Sequence, residues 1–215
     1  MTVTHDETFK ILLVCTGNVC RSPQAGQLMQ AELDQVGEPW RSAVVISSAG
    51  TRALEGSAMD EETAAISVKF GARPAEHRAR QLTPAMVEEA DLVLVMAREH
   101  RSEVVRAAPR SSRKAFVLVE FADLLESLER ASTRQPQPPA PSGPAMSTLP
   151  DTLRQGVERA AARRGMTPPR DPKTVDVLDP YGQASRVHRE SAQQIRESLG
   201  RIHGSVRRIA QDLPW

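Results

Sequence analysis

The stretch V-C-T-G-N-V-C-R-S-P, residues 14–23, decides how the rest of the chain is arranged. An apolar run at residues 11–14 leads into it, and apolar residues at helical spacing follow it as far as Gly37. The run predicts a parallel strand that is buried on both faces, because such strands lack polar alternation. Ser22 and Pro23 are typical of a helix cap and a first helical turn. We therefore expect a turn from the first strand into the first helix.

This turn combines a nucleophile with the features of an anion-binding loop. Cys15 and Arg21 enclose a short loop whose backbone N–H groups can point inward, at the positive end of the following helix. Gly17 and Asn18 are residue types that permit a tight or left-handed backbone. The same field favours the thiolate form of Cys15, and the planar guanidinium of Arg21 can hold two oxygens at once. The loop is therefore predicted to bind a doubly charged oxyanion beside an ionised sulfur.

The length and composition of the chain favour a single α/β domain over residues 1–215. Nine of the 16 prolines fall between residues 136 and 172, so we expect a Pro-rich insertion at about residues 131–173. The formal charge is +1, with 28 basic and 27 acidic residues, which argues against nucleic acid or an anionic membrane as a partner. Acidic residues near the start and the lack of a membrane-length apolar run favour a cytoplasmic protein.

The two cysteines, five positions apart, predict neither a disulfide framework nor a zinc site. We expect reduced thiols, no metal and no cofactor.

Apolar runs predict four strands, and the segments between them have helical spacing. This alternation is typical of an α/β fold: a doubly wound four-stranded parallel sheet with helices on both faces and the phosphate loop after the first strand. The predicted strands are residues 9–14, 43–46, 91–96 and 115–119. The predicted helices are residues 22–37, 59–71, a short one from 84, 98–107, 121–130, a weak one at 151–165, and 185–213.

Residues 14–23 resemble the signature of the low-molecular-weight protein tyrosine phosphatases, V-C-x-G-N-x-C-R-S-P, and fill each of its fixed positions. Later segments resemble that family in the right order, and the resemblance covers the chain except about residues 131–173. It implies hydrolysis of phosphotyrosine in a phosphorylated protein, through a phosphocysteine intermediate. The later segments are residues 48–51, 77–83, 90–96 and 177–182.

The resemblance also implies roles for individual residues. Cys15 is the expected nucleophile, and Arg21 the residue that orients the phosphoryl group and offsets its charge. Asn18 is expected to be held by Ser48 and His77, while Ser22 donates a hydrogen bond to the thiolate. The expected substrate-binding residues are Thr16, Gly17, Asn18, Val19, Cys20, Ser22, Leu54 and Tyr181.

Expelling a phenoxide calls for a proton, and a carboxylic acid is the expected donor. Asp179 precedes Pro180, which biases it to an extended conformation in a rigid loop. Asp171 also precedes a proline, and Asp176 lies nearby, so spacing alone leaves all three aspartates open. The resemblance selects Asp179 as general acid, and later as general base toward water.

The preferred substrate depends on residues around the loop. Tyr181 can form one wall for a phosphotyrosine ring, whereas Leu54 stands where the family often has an aromatic residue. Val19 favours phosphotyrosine, because the related protein-arginine phosphatases carry threonine there; Thr16 and residues 91–96 are reminiscent of that arginine-phosphatase branch. A protein-arginine phosphatase therefore remains an alternative.

Two further alternatives belong to other classes. An arsenate reductase shares the Cys-x5-Arg loop, but its thioredoxin-coupled forms need cysteines after Cys20, so only a form using a small-molecule thiol fits this chain. A non-catalytic phosphate-binding module is disfavoured, because a thiolate and a carboxylate both repel a bound dianion.

Overall fold

The computed structural model describes residues 8–73, 76–134, 148–166 and 171–210. Its centre is a four-stranded, all-parallel sheet in the order β2-β1-β3-β4, which confirms the predicted α/β sheet. The strand that ends at the signature is one of the two central strands, as predicted. The strands are β1 (Phe9–Cys15), β2 (Val44–Gly50), β3 (Leu92–Val95) and β4 (Ala115–Val117).

Helices cover both faces of the sheet. Alternate residues of β1 enter two separate cores, with Leu13 on one face and Leu12 and Val14 on the other. The first face is covered by α1, α6, α7 and α9, and the second by α4 and α5. The helices are α1 (Arg21–Val36), α2 (Trp40–Ala43), α3 (Glu61–Lys69), α4 (Pro84–Glu89), α5 (Arg98–Ala107), α6 (Leu118–Arg134), α7 (Leu149–Ala162), α8 (Pro172–Val175) and α9 (Ser185–Ala210).

The boundaries differ from the predicted ones where a neighbour overrides the local pattern. The fourth strand stops at Val117, and residues 118–119 begin α6 instead of continuing the strand. The second strand continues to Gly50, because its last residues pair with the end of β1. α2, α8 and a 3₁₀ turn at Pro109–Arg113 were not predicted, since elements of four or five residues carry no periodicity.

The weak helix predicted at residues 151–165 forms as α7, two residues earlier than expected. It begins at a capping box between Thr148 and Asp151, and it buries Val157 and Ala160 against the sheet-facing side of α6. Arg154 fixes its position by donating to Asp91 at 2.8 Å. Parts of the expected Pro-rich insertion, residues 135–147 and 167–170, lie outside the described residues, as do residues 211–213 of the predicted last helix.

Within the described part of the chain, no helix combines the length and the apolar character needed to cross a bilayer.

Candidate active site

The loop between β1 and α1 forms the floor of a cavity at the carboxyl end of the sheet. Cys15 is the last residue of β1, and α1 begins at Arg21. Asn18 has φ 56°, the only positive φ of a non-glycine residue among those described, as expected for its residue type. Gly17 has no positive φ, and a Cβ there would meet only ordinary van der Waals neighbours. The left-handed turn therefore depends on Asn18 and not on Gly17.

The backbone amides of this loop face no protein acceptor. In the described structure, none of the N–H groups of residues 17–20 donates a hydrogen bond. The first turn of α1 adds further unpaired N–H groups at the positive end of the helix dipole. An unpaired set of donors at a helix N-terminus is an anion-binding arrangement.

Ser22 contacts the cysteine sulfur and does not cap the helix, so the predicted cap is wrong. The N-cap is Cys20, which makes no side-chain capping bond. The Ser22 hydroxyl accepts a hydrogen bond from Asn18 Nδ2 at 2.9 Å and lies 3.0 Å from Cys15 Sγ. Because the Ser22 oxygen accepts from Asn18, its hydrogen can be donated either to the sulfur or to the Ala49 carbonyl, which lies 3.5 Å away.

Asn18 is held by Ser48 at its side chain and by His77 at its backbone carbonyl. Its Nδ2 donates to Ser48 Oγ at 3.0 Å, and His77 Nε2 lies 2.6 Å from the Asn18 carbonyl oxygen. Its Oδ1 accepts from the backbone N–H of Arg80 at 3.0 Å, a contact that the side-chain pattern did not indicate. Asn18 and Ser22, both expected among the substrate-binding residues, are fully buried behind the loop and do not line the cavity.

Arg21 and Asp179 meet above the loop. The Arg21 side chain is 4% exposed, and its Nη2 donates to Asp179 Oδ2 at 2.6 Å. Nη2 also donates to Thr16 Oγ1 at 3.3 Å, and Nη1 donates to the Val177 carbonyl at 3.4 Å. Of the three aspartates, Asp179 therefore reaches the cysteine-arginine pair directly.

The two competing aspartates lie elsewhere. Asp176 accepts hydrogen bonds from both the backbone and the guanidinium of Arg98, at 2.9 Å in each case. Burial alone would raise the pKa of Asp176, but these hydrogen bonds and the charge of Arg98 outweigh it and hold that pKa below its usual value. Asp171 is exposed and does not line the cavity.

The cavity above the loop has a volume of about 140 Å³. Burial raises the pKa of the Cys20 thiol to about 12, so this cysteine stays protonated at neutral pH. Arg52 lies at the same cavity and was not among the predicted site residues. The predicted site residues that line the cavity are Cys15, Thr16, Gly17, Val19, Cys20, Arg21, Leu54, Asp179 and Tyr181.

Sequence reasoning missed His100, which lies on α5 beneath Thr16. Its side chain is 1% exposed, and its Nε2 lies 2.8 Å from Thr16 Oγ1. Burial and, after it, the charge of Arg21 lower the pKa of His100 to about 4. Its spacing of four residues from the buried Val104 marks the inner face of α5, a signal that was available in the sequence.

Comparison with known proteins agrees with the fold and the signature. The family model described as low molecular weight phosphotyrosine protein phosphatase matches residues 10–138. A probable low molecular weight protein-tyrosine-phosphatase EpsP from Ralstonia solanacearum is 37% identical over 111 residues, which are 52% of this chain and 71% of the relative. The corresponding AmsI protein from Erwinia amylovora is 39% identical over 107 residues, 50% of this chain and 69% of the relative.

Solved structures share the fold at lower identity. The YwlE arginine phosphatase from Geobacillus stearothermophilus superimposes with a TM-score of 0.64 at 22% identity, covering 96% of this chain and 98% of that one. The Erwinia amylovora tyrosine phosphatase AmsI gives a TM-score of 0.60 at 21% identity, covering 94% and 96%. At such identities these matches support the fold alone. The match of the family model over more than half of the sequence, together with the two relatives, shows that this chain belongs to the low molecular weight phosphotyrosine protein phosphatase family.

Proposed function

We propose that this phosphatase hydrolyses phosphotyrosine in proteins through a phosphocysteine intermediate on Cys15, with Asp179 as general acid and then general base. The observation that carries the proposal is that Cys15, Arg21 and Asp179 line one cavity above a loop whose amides have no protein acceptor in the described structure. A nucleophile, a fixed cation and a proton donor are the groups that this hydrolysis needs.

In the first step, the phosphoryl dianion replaces Asp179 as the partner of Arg21. The loop amides and the guanidinium then hold its equatorial oxygens, and their positive charge offsets the charge that spreads over them in the transition state. Cys15 thiolate attacks phosphorus, so the S–P bond forms as the bond to the tyrosine oxygen breaks. Asp179, carrying a proton, donates it to the leaving phenolate.

In the second step, water hydrolyses the phosphocysteine. Asp179, now a carboxylate, takes a proton from the water as its oxygen bonds to phosphorus, and the sulfur leaves as thiolate. The hydrogen bond from Ser22 lowers the cost of that departure, because it stabilises charge on the sulfur. The products are the protein with its tyrosine hydroxyl restored and inorganic phosphate, and the enzyme returns to its starting protonation state.

The residues that line the cavity favour the binding of an aromatic phosphomonoester. Tyr181 and Leu54 are exposed at its rim, and Val19 adds a buried apolar surface near the loop. An aromatic ring can lie between Tyr181 and Leu54 with apolar contact on both faces. A phosphoarginine guanidinium would be desolvated by the same walls, and Thr16, the residue reminiscent of the arginine-phosphatase branch, is bonded to His100.

The test is a comparison of two matched phosphopeptides that differ only in carrying phosphotyrosine or phosphoarginine. We expect a kcat/KM at least about tenfold higher for phosphotyrosine, which corresponds to about 1.4 kcal/mol in the transition state. Cys15→Ser must abolish turnover of both, which excludes a contaminating phosphatase. Preference for phosphoarginine would replace the proposed substrate, and turnover by the Cys15→Ser variant would overturn the proposed nucleophile.

A further inference from the structure

A chain of three side chains runs from the active-site cation into the protein interior. Arg21 Nη2 donates to Thr16 Oγ1 at 3.3 Å, and Thr16 Oγ1 lies 2.8 Å from His100 Nε2. His100 belongs to α5, on the face of the sheet opposite α1, so the contact joins the phosphate loop to a separate layer of the fold. His100 itself lies outside the cavity and touches no group that the proposed mechanism uses directly.

The hydrogen bonds that link Arg21, Thr16 and His100 have a preferred donor-to-acceptor direction. A guanidinium has only donors, so the Thr16 oxygen accepts from Arg21. If Thr16 then donates its own hydrogen to His100 Nε2, the two bonds run head to tail and polarise each other, and the lone pair of the imidazole faces the cation. The charge of Arg21 favours that orientation, whereas the Glu99 carboxylate, 3.6 Å from Nε2, opposes it more weakly because it is 65% exposed and screened by water. Arg21 also favours the neutral ring, since burial and Arg21 lower the pKa of His100 to about 4. This places the ring hydrogen on Nδ1, which has no hydrogen-bond partner in the described structure.

The two hydrogens of Arg21 Nη2 therefore have different partners. One donates to Asp179 at 2.6 Å, a contact that an incoming phosphoryl group must replace under the function proposed above. The other donates to Thr16, a contact that can persist throughout the reaction. A fixed partner on one side keeps the guanidinium plane in place while the other side exchanges.

Resting on that proposed function, we infer that His100 is a positioning residue: as a neutral acceptor, it orients the Thr16 hydroxyl, and through it the guanidinium that receives the phosphoryl group. Without the acceptor, the Thr16 hydroxyl can rotate and offer its hydrogen to Arg21, which repels the guanidinium. The consequence is weaker phosphate binding and a slower chemical step, with the fold retained.

Two isosteric substitutions separate positioning from packing. In His100→Gln, the amide oxygen can occupy the place of Nε2 and accept from Thr16. In His100→Asn, the amide reaches only the place of Nδ1 and leaves Thr16 without an acceptor. We expect His100→Asn to lower kcat for p-nitrophenyl phosphate about tenfold and to raise the inhibition constant of inorganic phosphate several-fold, and His100→Gln to restore both to within about twofold.

His188 supplies the matched control. It is also buried, and its Nδ1 lies 3.0 Å from Thr63 Oγ1, so it makes the same type of bond away from Arg21. His188→Gln should lower the melting temperature and leave kcat and the phosphate inhibition constant unchanged. If His100→Asn and His188→Gln have the same effects, His100 is merely structural and the inference is wrong.

A double-mutant cycle with Thr16→Val and His100→Asn tests the route through Thr16. Because Thr16→Val already removes the hydroxyl, adding His100→Asn should cost nothing further. Effects that multiply would show that His100 does not act through Thr16 and would overturn the inference.

Nitrogen-15 NMR of His100 and calorimetry with inorganic phosphate give readouts that need no turnover. We expect a neutral imidazole with hydrogen on Nδ1 down to about pH 5, and phosphate affinity that falls in His100→Asn but not in His100→Gln. Hydrogen on Nε2, or equal phosphate affinity in the two variants, contradicts the inference. A wild-type chain that binds phosphate but does not hydrolyse phosphotyrosine would refute the proposed function alone.

Discussion

Two aspartates on one loop, Asp176 and Asp179, are each paired with an arginine, yet the two pairs are built differently. Asp176 receives the backbone N–H of Arg98 together with its guanidinium, and both of its carboxylate oxygens are used. Asp179 receives Nη2 of Arg21 on one oxygen and a longer bond from the Tyr181 N–H, at 3.3 Å, on the other. The Asp176–Arg98 pair lies at the first residue of α5, and the Asp179–Arg21 pair lines the cavity.

The exposures are reversed as well. In the Asp176 pair the carboxylate is 32% exposed and its arginine 53%, whereas in the Asp179 pair the arginine is 4% exposed and the carboxylate 51%. A buried cation that makes one hydrogen bond to an exposed carboxylate can exchange that carboxylate for a phosphoryl group. A carboxylate fixed by several bonds to one residue cannot take part in such an exchange. We therefore propose that the Asp176 pair stabilises the fold and that the Asp179 pair takes part in the chemistry.

The largest effect is expected from shortening the buried arginine. Arg21→Lys replaces a planar fork with a point charge and removes the bonds to Asp179 and Thr16. We expect kcat/KM to fall about 10³-fold or more for every aryl phosphate, because the charge remains but the two-pronged hydrogen bonding to the phosphoryl oxygens in the transition state is lost. Steady-state kinetics with p-nitrophenyl phosphate measures this loss of kcat/KM. A loss below about tenfold would mean that Arg21 does not face the transition state.

The next effect distinguishes the two carboxylates by chemistry. Asp179→Asn should lower kcat/KM, which reports phosphoryl transfer to Cys15, by about 10²–10³-fold for phenyl phosphate and much less for p-nitrophenyl phosphate, whose leaving group needs no proton. Asp176→Asn should change both substrates equally and by less than about threefold. The measurement is kcat/KM for a series of aryl phosphates whose phenols have graded pKa values. A steep dependence on the leaving group in Asp176→Asn, and none in Asp179→Asn, would exchange the two assignments.

A smaller effect concerns stability. Asp176→Asn keeps an oxygen that can accept the first N–H of α5 but removes the negative charge and the ion pair with Arg98, so we expect the melting temperature at pH 7 to fall by about 2–4 °C. Scanning calorimetry measures it, and Asp171→Asn is the matched control, because that exposed residue lies outside both pairs. An unchanged melting temperature would show that the Asp176 pair does not stabilise the fold.

The stabilisation by Asp176 should also depend on pH. Its folded-state pKa is lowered, so the stabilisation is fully present above the pKa of the unfolded chain, near 4, and is lost as pH falls through the folded pKa. The difference in unfolding free energy between the wild type and Asp176→Asn should therefore be largest at pH 5–7 and shrink below about pH 4. Urea denaturation at several pH values measures it. A difference that grows on acidification contradicts the lowered pKa.

The smallest effect is expected from Arg98→Lys. A lysine keeps the charge and the backbone N–H bond to Asp176 but loses the planar guanidinium contact. The pair is largely exposed, so we expect the melting temperature to fall by about 1 °C and kcat to be unchanged. The matched kinetic comparison is Arg21→Lys. A large loss of activity in Arg98→Lys would show that the Asp176 pair also controls the chemistry.

Much of the site was predictable because its chemistry is local in the sequence. Cys15 and Arg21 are six positions apart on one strand-to-helix turn, so the signature alone indicates that they share a loop. Asp179 is distant in sequence, and three aspartates had similar local contexts. Only the resemblance chose among them, because nothing in the dipeptide Asp-Pro specifies which loop folds back over the cavity.

Other features could not be predicted, because long-range packing decides them. The Ser22 hydroxyl was expected to cap α1, but Asn18 and Cys15 compete for it. His100 resembles any histidine on an amphipathic helix until β3 brings α5 beneath Thr16. The helix at 149–162 was predictable from its spacing, whereas its place against the sheet depends on the contact of Arg154 with Asp91, 63 residues away.

The most direct test of the central claim is to trap the phosphoryl group on the enzyme. Asp179→Asn mixed with p-nitrophenyl phosphate needs no acid for the first step but lacks the base for the second, so the intermediate should accumulate. Rapid quenching followed by peptide mass spectrometry should find the phosphoryl group on Cys15. A burst of p-nitrophenol with the phosphoryl group on another residue, or on none, would contradict the mechanism proposed for this enzyme.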